Sequence, residues 1–346
     1  MRVLSGIQSS GKLHIGNYFG AIAQFLELQH QAECFIFIAD LHALTTLRDG
    51  DKLRGLTRDV ALDYLALGLD PSKVALFRQS DIPEVTELLW ILLSVTPMGL
   101  LERAVSYKDK LAHGISADAG LFTYPVLMAA DILAYDSDEV PVGKDQIQHL
   151  EMARDIAIKL NAAFDPKYLH RLNEATAAAK AKGAAEHVSA PGLLKLPRAR
   201  IQESRAVVPG LDGQKMSKSY GNTIDLFADD ASTKKRIMSI KTDSTPVEAP
   251  KDPNATPVHA LLKLFASVEE MAEIDRTFRE GGKGYGHYKQ RLAELFFEKF
   301  GEARKNRLEL EKDPERVERV LRDGAERARA AAAPVMDRVR RAVGLR

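Results

Sequence analysis

The sequence contains very little cysteine and no excess of charge of either sign. Among its 346 residues Cys34 is the only cysteine, which excludes an internal disulfide and a metal site built from several cysteines. A single cysteine fits a reducing compartment, so we expect a cytoplasmic protein. The 49 Lys and Arg residues nearly balance the 48 Asp and Glu residues, leaving a net charge of +1. This balance does not exclude a nucleic-acid partner, because binding depends on where the basic residues cluster.

Long hydrophobic runs are also missing. The longest uncharged apolar stretch, Leu88–Leu101, contains Pro97 and is shorter than the roughly 20 residues that a membrane-spanning helix needs. The first residues, MRVLSGIQSSG, are typical of a strand that enters a turn rather than of a signal peptide. We therefore expect no membrane association. Ordinary fractions of apolar (45%) and charged (28%) residues exclude a disordered chain, a collagen and a disulfide scaffold.

The first part of the chain alternates short apolar runs with helical patterns. Three apolar runs predict buried strands: Arg2–Ile7, Cys34–Ala39 and Lys73–Phe77. Apolar residues three and four apart between Leu53 and Leu67 predict a helix, and Pro83 begins another. This alternation predicts an α/β fold with a parallel sheet and with ligands at the carboxyl ends of the strands.

The later part of the chain has a different character. The Ala- and Lys-rich stretch 171–192 is interpreted as a surface insertion, part helical and part mobile; its lysines could contact nucleic acid, but a solvated helix is the favoured interpretation. No strand pattern follows Asp229. We therefore expect an α/β domain at 1–224 and an all-helical domain at 225–346.

A short motif follows the first predicted strand directly. Residues 9–17 read SSGKLHIGN, and a helix is expected to begin near Gly16 and Asn17. A small-residue loop lets the backbone approach a ligand, and a helix N-terminus directs free N–H groups at an anion. The motif matches neither the dinucleotide fingerprint nor the P-loop. By itself it is about as consistent with an ordinary tight turn as with a phosphate site.

A second motif lies far along the chain and is more specific. Residues 215–219 read KMSKS and are flanked by Gly210, Gly213 and Gly221. The two lysines, three residues apart, can converge on one polyphosphate, and the serines add hydroxyl donors. The flanking glycines would let the loop close when a nucleotide arrives.

Together the two motifs resemble the signatures of class I aminoacyl-tRNA synthetases. His14-Ile15-Gly16-Asn17 corresponds to the HIGH signature, with Asn17 in place of its last histidine, and 215–219 is a complete KMSKS signature. The runs TYPVLMAADIL (123–133) and VPVGKDQ (140–146) are similar to those of the bacterial tryptophan-specific members. The resemblance covers nearly the whole chain, except for 171–192. It implies a Rossmann-type catalytic domain at 1–224 and a helical tRNA-binding domain at 225–346, whose last helices could pack back on the first domain.

The resemblance implies a two-step reaction with ATP. The carboxylate of an amino acid attacks the α-phosphate, pyrophosphate leaves, and the adenylate passes to the 3′ end of tRNA(Trp). Such chemistry needs positioning and charge stabilisation rather than a nucleophile, and Mg²⁺ would arrive on the ATP phosphates without a dedicated protein metal site. The resemblance assigns His14, Asn17, Lys215 and Lys218 to catalysis. The residues it assigns to ATP binding are Gln8, Ser9, Ser10, Gly16, Asn17, Gly143, Lys144, Asp145, Val208, Lys215, Met216, Ser217, Lys218 and Ser219.

The same resemblance assigns a pocket for L-tryptophan. Asp131 is expected to accept the indole N–H, the one hydrogen-bond donor of that ring. From its sequence position alone, Asp131 could also be a surface acid or a member of a local ion pair. Tyr124 and Gln146 are expected at the substrate ammonium and carboxylate, with His42 assisting. The expected apolar walls are Met128, Ile132, Val140 and Val142.

Three alternatives compete with this interpretation: one within the same synthetase class, one from another enzyme class, and one that is not an enzyme. A tyrosyl-tRNA synthetase would need a polar pair facing a phenol hydroxyl, whereas this chain offers one acid among apolar residues. A small nucleotidyltransferase would have no evident need for the helical 225–346 domain. A non-catalytic RNA-binding relative would be expected to have lost the loop lysines or Asp131, and all three residues are present.

The family is also expected to bind tRNA as a homodimer. Residues 301–346 hold thirteen Lys and Arg against nine Asp and Glu, so the helical domain could recognise the anticodon, although solvated helices would look much the same. The apolar stretch Leu88–Leu101 is either an interface between subunits or a buried helix.

Overall fold

A five-stranded parallel sheet forms the centre of the α/β region. The structure, a computed structural model, describes residues 1–9, 11–104, 118–143, 146–183, 188–201 and 208–346. The strands are β1 (Arg2–Ile7), β2 (Glu33–Ile38), β3 (Val74–Arg78), β4 (Glu139–Val142) and β5 (Arg198–Ile201), in the order β3-β2-β1-β4-β5. The predicted α/β class with a Rossmann-type parallel sheet is confirmed.

The strand boundaries differ from the predicted ones in small ways. Strand β2 ends one residue before Ala39 and begins one residue before Cys34, and β3 is shifted one residue toward the C-terminus of Lys73–Phe77. Strands β4 and β5 were not predicted. Each has four residues, one contains Pro141, and the other carries arginines on the sheet edge, so neither forms a recognisable apolar run.

Helices cover both faces of the sheet within the first two hundred residues. Helix α1 has three consecutive pieces, Ile15–Asn17, a π-helical turn Tyr18–Ile22, and Ala23–Leu28. The following helices are α2 (Asp40–Ala43), α3 (Gly50–Ala66), α4 (Pro83–Leu93), α5 (Met98–Glu102), α6 (Ala119–Leu133), α7 (Ile147–Phe164) and α8 (Tyr168–Ala181). Helix α3 starts at the Asp49 cap, whose carboxylate accepts the Lys52 backbone N–H.

The described residues after 208 contain helices and no strand. They are α9 (Asp230–Met238), α10 (Pro257–Phe265), α11 (Val268–Glu280), α12 (Tyr285–Glu311) and α13 (Pro314–Val343). The Pro-rich and Gly-rich segments separate these helices, as their composition predicts. In the described part of the chain, no helix is both long and apolar enough to cross a lipid bilayer.

Helix α13 returns to the sheet and packs on its edge strand β3. At Gly324 the helix comes so close that a Cβ atom would lie 1.9 Å from the Leu76 carbonyl oxygen, so only glycine fits there. Residues Val317 and Leu321 join the core on one face of the sheet, whereas Val335 and Val339 join the core on the other. The long last helix therefore packs into the hydrophobic cores on both faces of the sheet.

The segment predicted as a surface insertion is only partly one. Helix α8 covers its first half, and 184–187 lie outside the described residues. Its end is packed rather than mobile, because Ala190 is buried and Gly192 lies against Asn161 and Tyr168, where a Cβ atom would clash at 2.6–2.7 Å. Low-complexity composition did not reveal that contact.

Candidate active site

A cavity opens at the carboxyl ends of strands β1 and β4. These neighbours belong to the two halves of the sheet, and such a switch point in strand order is where α/β folds place their ligands. The cavity has a volume of about 430 Å³. Residues predicted for tryptophan or ATP line it together: Gln8, His42, Tyr124, Met128, Asp131, Ile132, Val140, Val142, Gly143 and Gln146.

Asp131 lies at the polar end of this cavity and is only 2% exposed. It is neither a surface acid nor a member of a local pair. Gln79 Nε2 lies 2.8 Å from both carboxylate oxygens, and His42 Nε2 lies 2.9 Å from Oδ2. Helix α6, the short helix α2 and the turn after β3 thus converge on one carboxylate.

The surroundings of Asp131 include groups that raise the pKa of its carboxyl and groups that lower it. Burial raises the pKa of the carboxyl, while the hydrogen bonds from His42 and Gln79 partly oppose that rise, and nearby Asp40 adds to it. The net direction is upward. A further N–H donor entering the cavity would stabilise the ionised carboxylate, so ligand binding and ionisation of Asp131 favour each other.

Gln79 is a residue that the sequence interpretation missed. It follows strand β3 directly, in a 3-10 turn Gln79–Asp81, and is 1% exposed. Its Oε1 accepts the His42 backbone N–H at 3.4 Å, and Gln8 Nε2 donates to the His42 carbonyl at 3.1 Å. A polar residue at the carboxyl end of a parallel strand was the available signal.

The cavity walls also include residues outside the prediction. Leu4 and Phe37, from β1 and β2, and Gln24 and Phe25, from α1, complete the lining. Tyr124 stands on α6 with its ring edge toward His42, and its hydroxyl lies 3.1 Å from His149 Nε2. Aliphatic and aromatic walls with a few polar groups are typical of a site for an amphipathic small molecule.

The turn that carries His14 lies beside this cavity and does not line it. His14 caps α1, its backbone N–H donates to Asn17 Oδ1 at 3.0 Å, and the His14 ring fills the space that a Cβ atom on Gly16 would need. Burial, aided by the Lys218 charge and opposed by Asp225, lowers the pKa of His14 to about 4. The ring is therefore neutral near pH 7 and can donate or accept a hydrogen bond.

The KMSKS loop reaches across to the same turn. Lys218 Nζ donates to the Gly11 carbonyl at 2.9 Å, so this ammonium stands over the loop that precedes His14. Partial desolvation lowers the pKa of Lys218, and the negative charges of Asp225 and Asp63 oppose that change. Lys215 and Ser219 are exposed on the same loop. The two signature motifs are thus adjacent in space although about 200 residues separate them.

Two predicted ATP residues have their side chains turned into the protein. Met216 is buried and packs against Gly16, and Ser9 is fully buried. The Val208 carbonyl accepts the Met216 backbone N–H at 2.9 Å. Three other predicted residues, Ser10, Lys144 and Asp145, lie outside the described residues.

Asn222 holds the base of the loop and was also missed as a functional residue. Its side chain accepts the Ser217 N–H at 2.8 Å and donates to Asp212 at 2.8 Å and to the Lys215 carbonyl at 3.2 Å. It is 4% exposed, and Gly210 leaves it room. One buried amide therefore fixes both ends of the loop that carries Lys215 and Lys218.

Comparison with known proteins agrees with this arrangement. Residues 1–301 match the family described as tRNA synthetases class I (W and Y). The chain is 52% identical over 346 residues to the tryptophan–tRNA ligase of Rhodopirellula baltica, covering all of both chains, and 49% identical to that of Fusobacterium nucleatum, covering 99% of this chain and 98% of the relative.

A solved structure is similar throughout. The crystal structure of tryptophanyl-tRNA synthetase from Campylobacter jejuni, complexed with ADP and tryptophan, is 47% identical, has a TM-score of 0.87, and covers 99% of this chain and 100% of that one. Two signature motifs, one cavity with a buried acid and full-length likeness point the same way: the chain belongs to the tryptophan–tRNA ligases of the class I aminoacyl-tRNA synthetase family.

Proposed function

We propose that the chain activates L-tryptophan with ATP and transfers it to the 3′ end of tRNA(Trp). The observation that carries the proposal is the buried carboxylate of Asp131 in a mostly apolar cavity, beside two loops suited to phosphate. The likeness to a structure that holds ADP and tryptophan supports it. A single buried acceptor suits the single N–H donor of indole.

Different residues of the cavity bind different parts of tryptophan. Asp131 accepts the indole N–H, while Met128, Ile132, Val140 and Val142 contact the ring faces. Tyr124 and Gln146 bind the ammonium and carboxylate, with His42 linking them to Asp131. A phenol ring is smaller than indole and would leave part of the apolar walls without contact, which disfavours tyrosine.

The neighbouring loops bind ATP. The residues that we propose for its triphosphate are Gln8, Ser9, Ser10, His14, Gly16, Asn17 and the KMSKS loop (215–219); Gly143, Lys144, Asp145 and the backbone near Val208 are proposed for ribose and adenine. Lys215 and Lys218 then stabilise the charge that grows on pyrophosphate as the tryptophan carboxylate attacks the α-phosphate.

Mg²⁺ is proposed to enter with ATP rather than to occupy a protein site. Among the described residues there is no group of three His, Cys, Asp or Glu side chains that could hold a metal ion. A magnesium ion that keeps its waters and binds phosphate oxygens needs few protein ligands. When bound, it would neutralise phosphate charge, and the two lysines would complete that task.

The remaining parts of the proposal concern the partners. We propose a catalytic domain at 1–224 and an anticodon-binding helical domain at 225–346, working as a cytoplasmic homodimer. Five of the fourteen residues of Leu88–Leu101 are buried, whereas Trp90 and Met98 are 76% and 62% exposed, which suits a contact between subunits. Sedimentation of the full chain measures that dimer.

The activity is tested by ATP–pyrophosphate exchange with each of the twenty amino acids, followed by charging of tRNA(Trp). We expect exchange with tryptophan, and exchange with tyrosine and phenylalanine weaker by about one to two orders of magnitude. Phenylalanine leaves Asp131 without a donor, and tyrosine fills less of the cavity. Exchange driven best by tyrosine, or by no amino acid, would contradict the proposal.

A further inference from the structure

The segment after the KMSKS loop, residues 221–228, is called the strap here. It runs antiparallel to the turn that carries His14. Ile15 N–H donates to the Ile224 carbonyl at 3.0 Å, and Leu226 N–H donates to the Leu13 carbonyl at 3.0 Å. The strap therefore joins the two signature motifs through backbone hydrogen bonds, and its position sets how one motif lies against the other.

The strap also carries a charge that acts on both motifs. Asp225 stands opposite His14 in this pairing, and its negative charge acts on His14 and on Lys218. A shift of the strap would move that carboxylate relative to both side chains. The geometry of the phosphate site thus depends on the contacts that fix the strap to the helical region.

Two arginines from the helical region hold it there. Arg304, on α12, donates to the Leu226 carbonyl at 2.5 Å, to the Ala228 carbonyl, and to Asp230 at 2.7 Å. Arg236, on α9, donates to the Thr223 carbonyl at 3.0 Å and to the Gly221 carbonyl. Carbonyls along the whole strap are therefore bound by guanidinium groups.

Arg304 is the better fixed of the two. Its side chain is 12% exposed, whereas Arg236 is exposed, and its guanidinium lies 5.8 Å and 5.5 Å from the ring centres of Phe296 and Phe297 on its own helix. A planar guanidinium can bridge two carbonyls at a set spacing, which a lysine ammonium cannot reproduce. Helix α12 thereby holds the strap through the Arg304 hydrogen bonds, in addition to the contact of Arg307 with the Phe227 ring.

We propose that Arg304 is a positioning residue for adenylate formation. By donating hydrogen bonds to two strap carbonyls, it holds the KMSKS loop in place against the His14 turn. This inference rests on the proposed function and extends it to the helical region. Arg304 touches none of the residues that line the amino-acid cavity, so its effect falls on ATP chemistry and not on tryptophan binding.

The test compares Arg304→Met with Arg304→Lys and with a matched control, Arg291→Met. Arg291 lies on the same helix and donates to Glu270, Glu294 and Glu298, away from the strap. In ATP–pyrophosphate exchange at saturating ATP, Arg304→Met should lower kcat by about tenfold or more, with the KM for tryptophan within about twofold of wild type. Arg304→Lys should recover only part of the rate, because lysine keeps the charge but lacks the planar guanidinium that can donate to two carbonyls at once.

The control separates positioning from simple stability. Arg291→Met should lower the thermal midpoint without changing kcat. A wild-type kcat in folded Arg304→Met, with only a lowered midpoint, would overturn the proposal. If Arg304→Met does not fold, Arg304→Lys decides by the same criterion. Failure of the wild-type protein to exchange with tryptophan would overturn the proposed function itself, a result distinct from any variant effect.

Discussion

The amino-acid cavity and the KMSKS loop are held in opposite ways. The cavity is built on strand ends and α6, and its key carboxylate is buried with hydrogen bonds from Gln79 and His42. The loop exposes Lys215 and Ser219, and it is held by Asn222 at its base and by the hydrogen bond from Lys218 to the Gly11 carbonyl. We therefore expect tryptophan to enter a preformed site, whereas the phosphate groups would meet side chains on an exposed loop.

The largest effect should come from a substitution in the KMSKS loop. Lys218→Ala removes a charge that we propose to face the phosphates, and loss of such an electrostatic donor costs on the order of 2–4 kcal/mol in the transition state. We expect kcat for adenylate formation to fall by roughly a hundredfold or more at saturating ATP. Steady-state exchange kinetics measure it, with Lys234→Ala, an exposed lysine on α9, as the control.

Lys215→Ala should behave in the same way, and the double variant should cost less than the sum of the two, since both lysines act on one group. A raised KM for ATP with an unchanged kcat would show instead that the loop binds ATP equally in the ground state.

Asp131→Ala should produce the next largest effect, and that effect should be confined to the kinetics with tryptophan. Leaving the indole N–H and the donors of His42 and Gln79 without their acceptor costs roughly 1–3 kcal/mol or more, so kcat/KM for tryptophan should fall about tenfold to over a hundredfold. The KM for ATP should stay near its wild-type value. Exchange kinetics with tryptophan varied and ATP saturating provide the measurement; wild-type tryptophan kinetics would remove Asp131 from the site.

A smaller effect is expected for Gln79→Met, which keeps the volume but removes one donor to Asp131. Loss of a hydrogen bond to a charged group costs about 1.5 kcal/mol, or roughly tenfold in the KM for tryptophan. Because Gln79 also accepts from the His42 backbone, the variant tests whether the preformed network, and not Asp131 alone, selects the ring. Unchanged kinetics would make the site less preorganised than its geometry indicates.

The smallest change concerns pH. Burial lowers the pKa of His14 to about 4, below the usual value of 6.5. Between these values the unfolded chain binds a proton that the folded chain does not, so His14 makes stability fall as pH decreases from about 6.5 toward 4 and has no effect above. NMR titration of the His14 ring, assigned by His14→Gln, should give a midpoint near 4; a midpoint near 6.5 would contradict a buried ring.

The sequence predicted the sheet class and most of the cavity because strand–helix alternation and the family motifs are local patterns. Apolar runs located β1, β2 and β3 within one residue, but β4 and β5 are too short to stand out. Residues that line the cavity were predicted where a motif contains them, as with Asp131 and Gln146. Gln79 and Asn222 act through contacts that only the folded chain creates, and Arg304 meets the strap from 76–78 residues away.

The central claim is that tryptophan binding and phosphate chemistry are carried by separate parts of the site. Two quantities measured together on Asp131→Ala and Lys218→Ala test it most directly: the Kd for tryptophan and the single-turnover rate of adenylate formation at saturating substrates. The account predicts that Asp131→Ala weakens tryptophan binding about tenfold or more, while Lys218→Ala leaves that Kd unchanged and slows the chemical step by roughly a hundredfold or more. Weakened tryptophan binding in Lys218→Ala, or a wild-type rate in that variant, would contradict it.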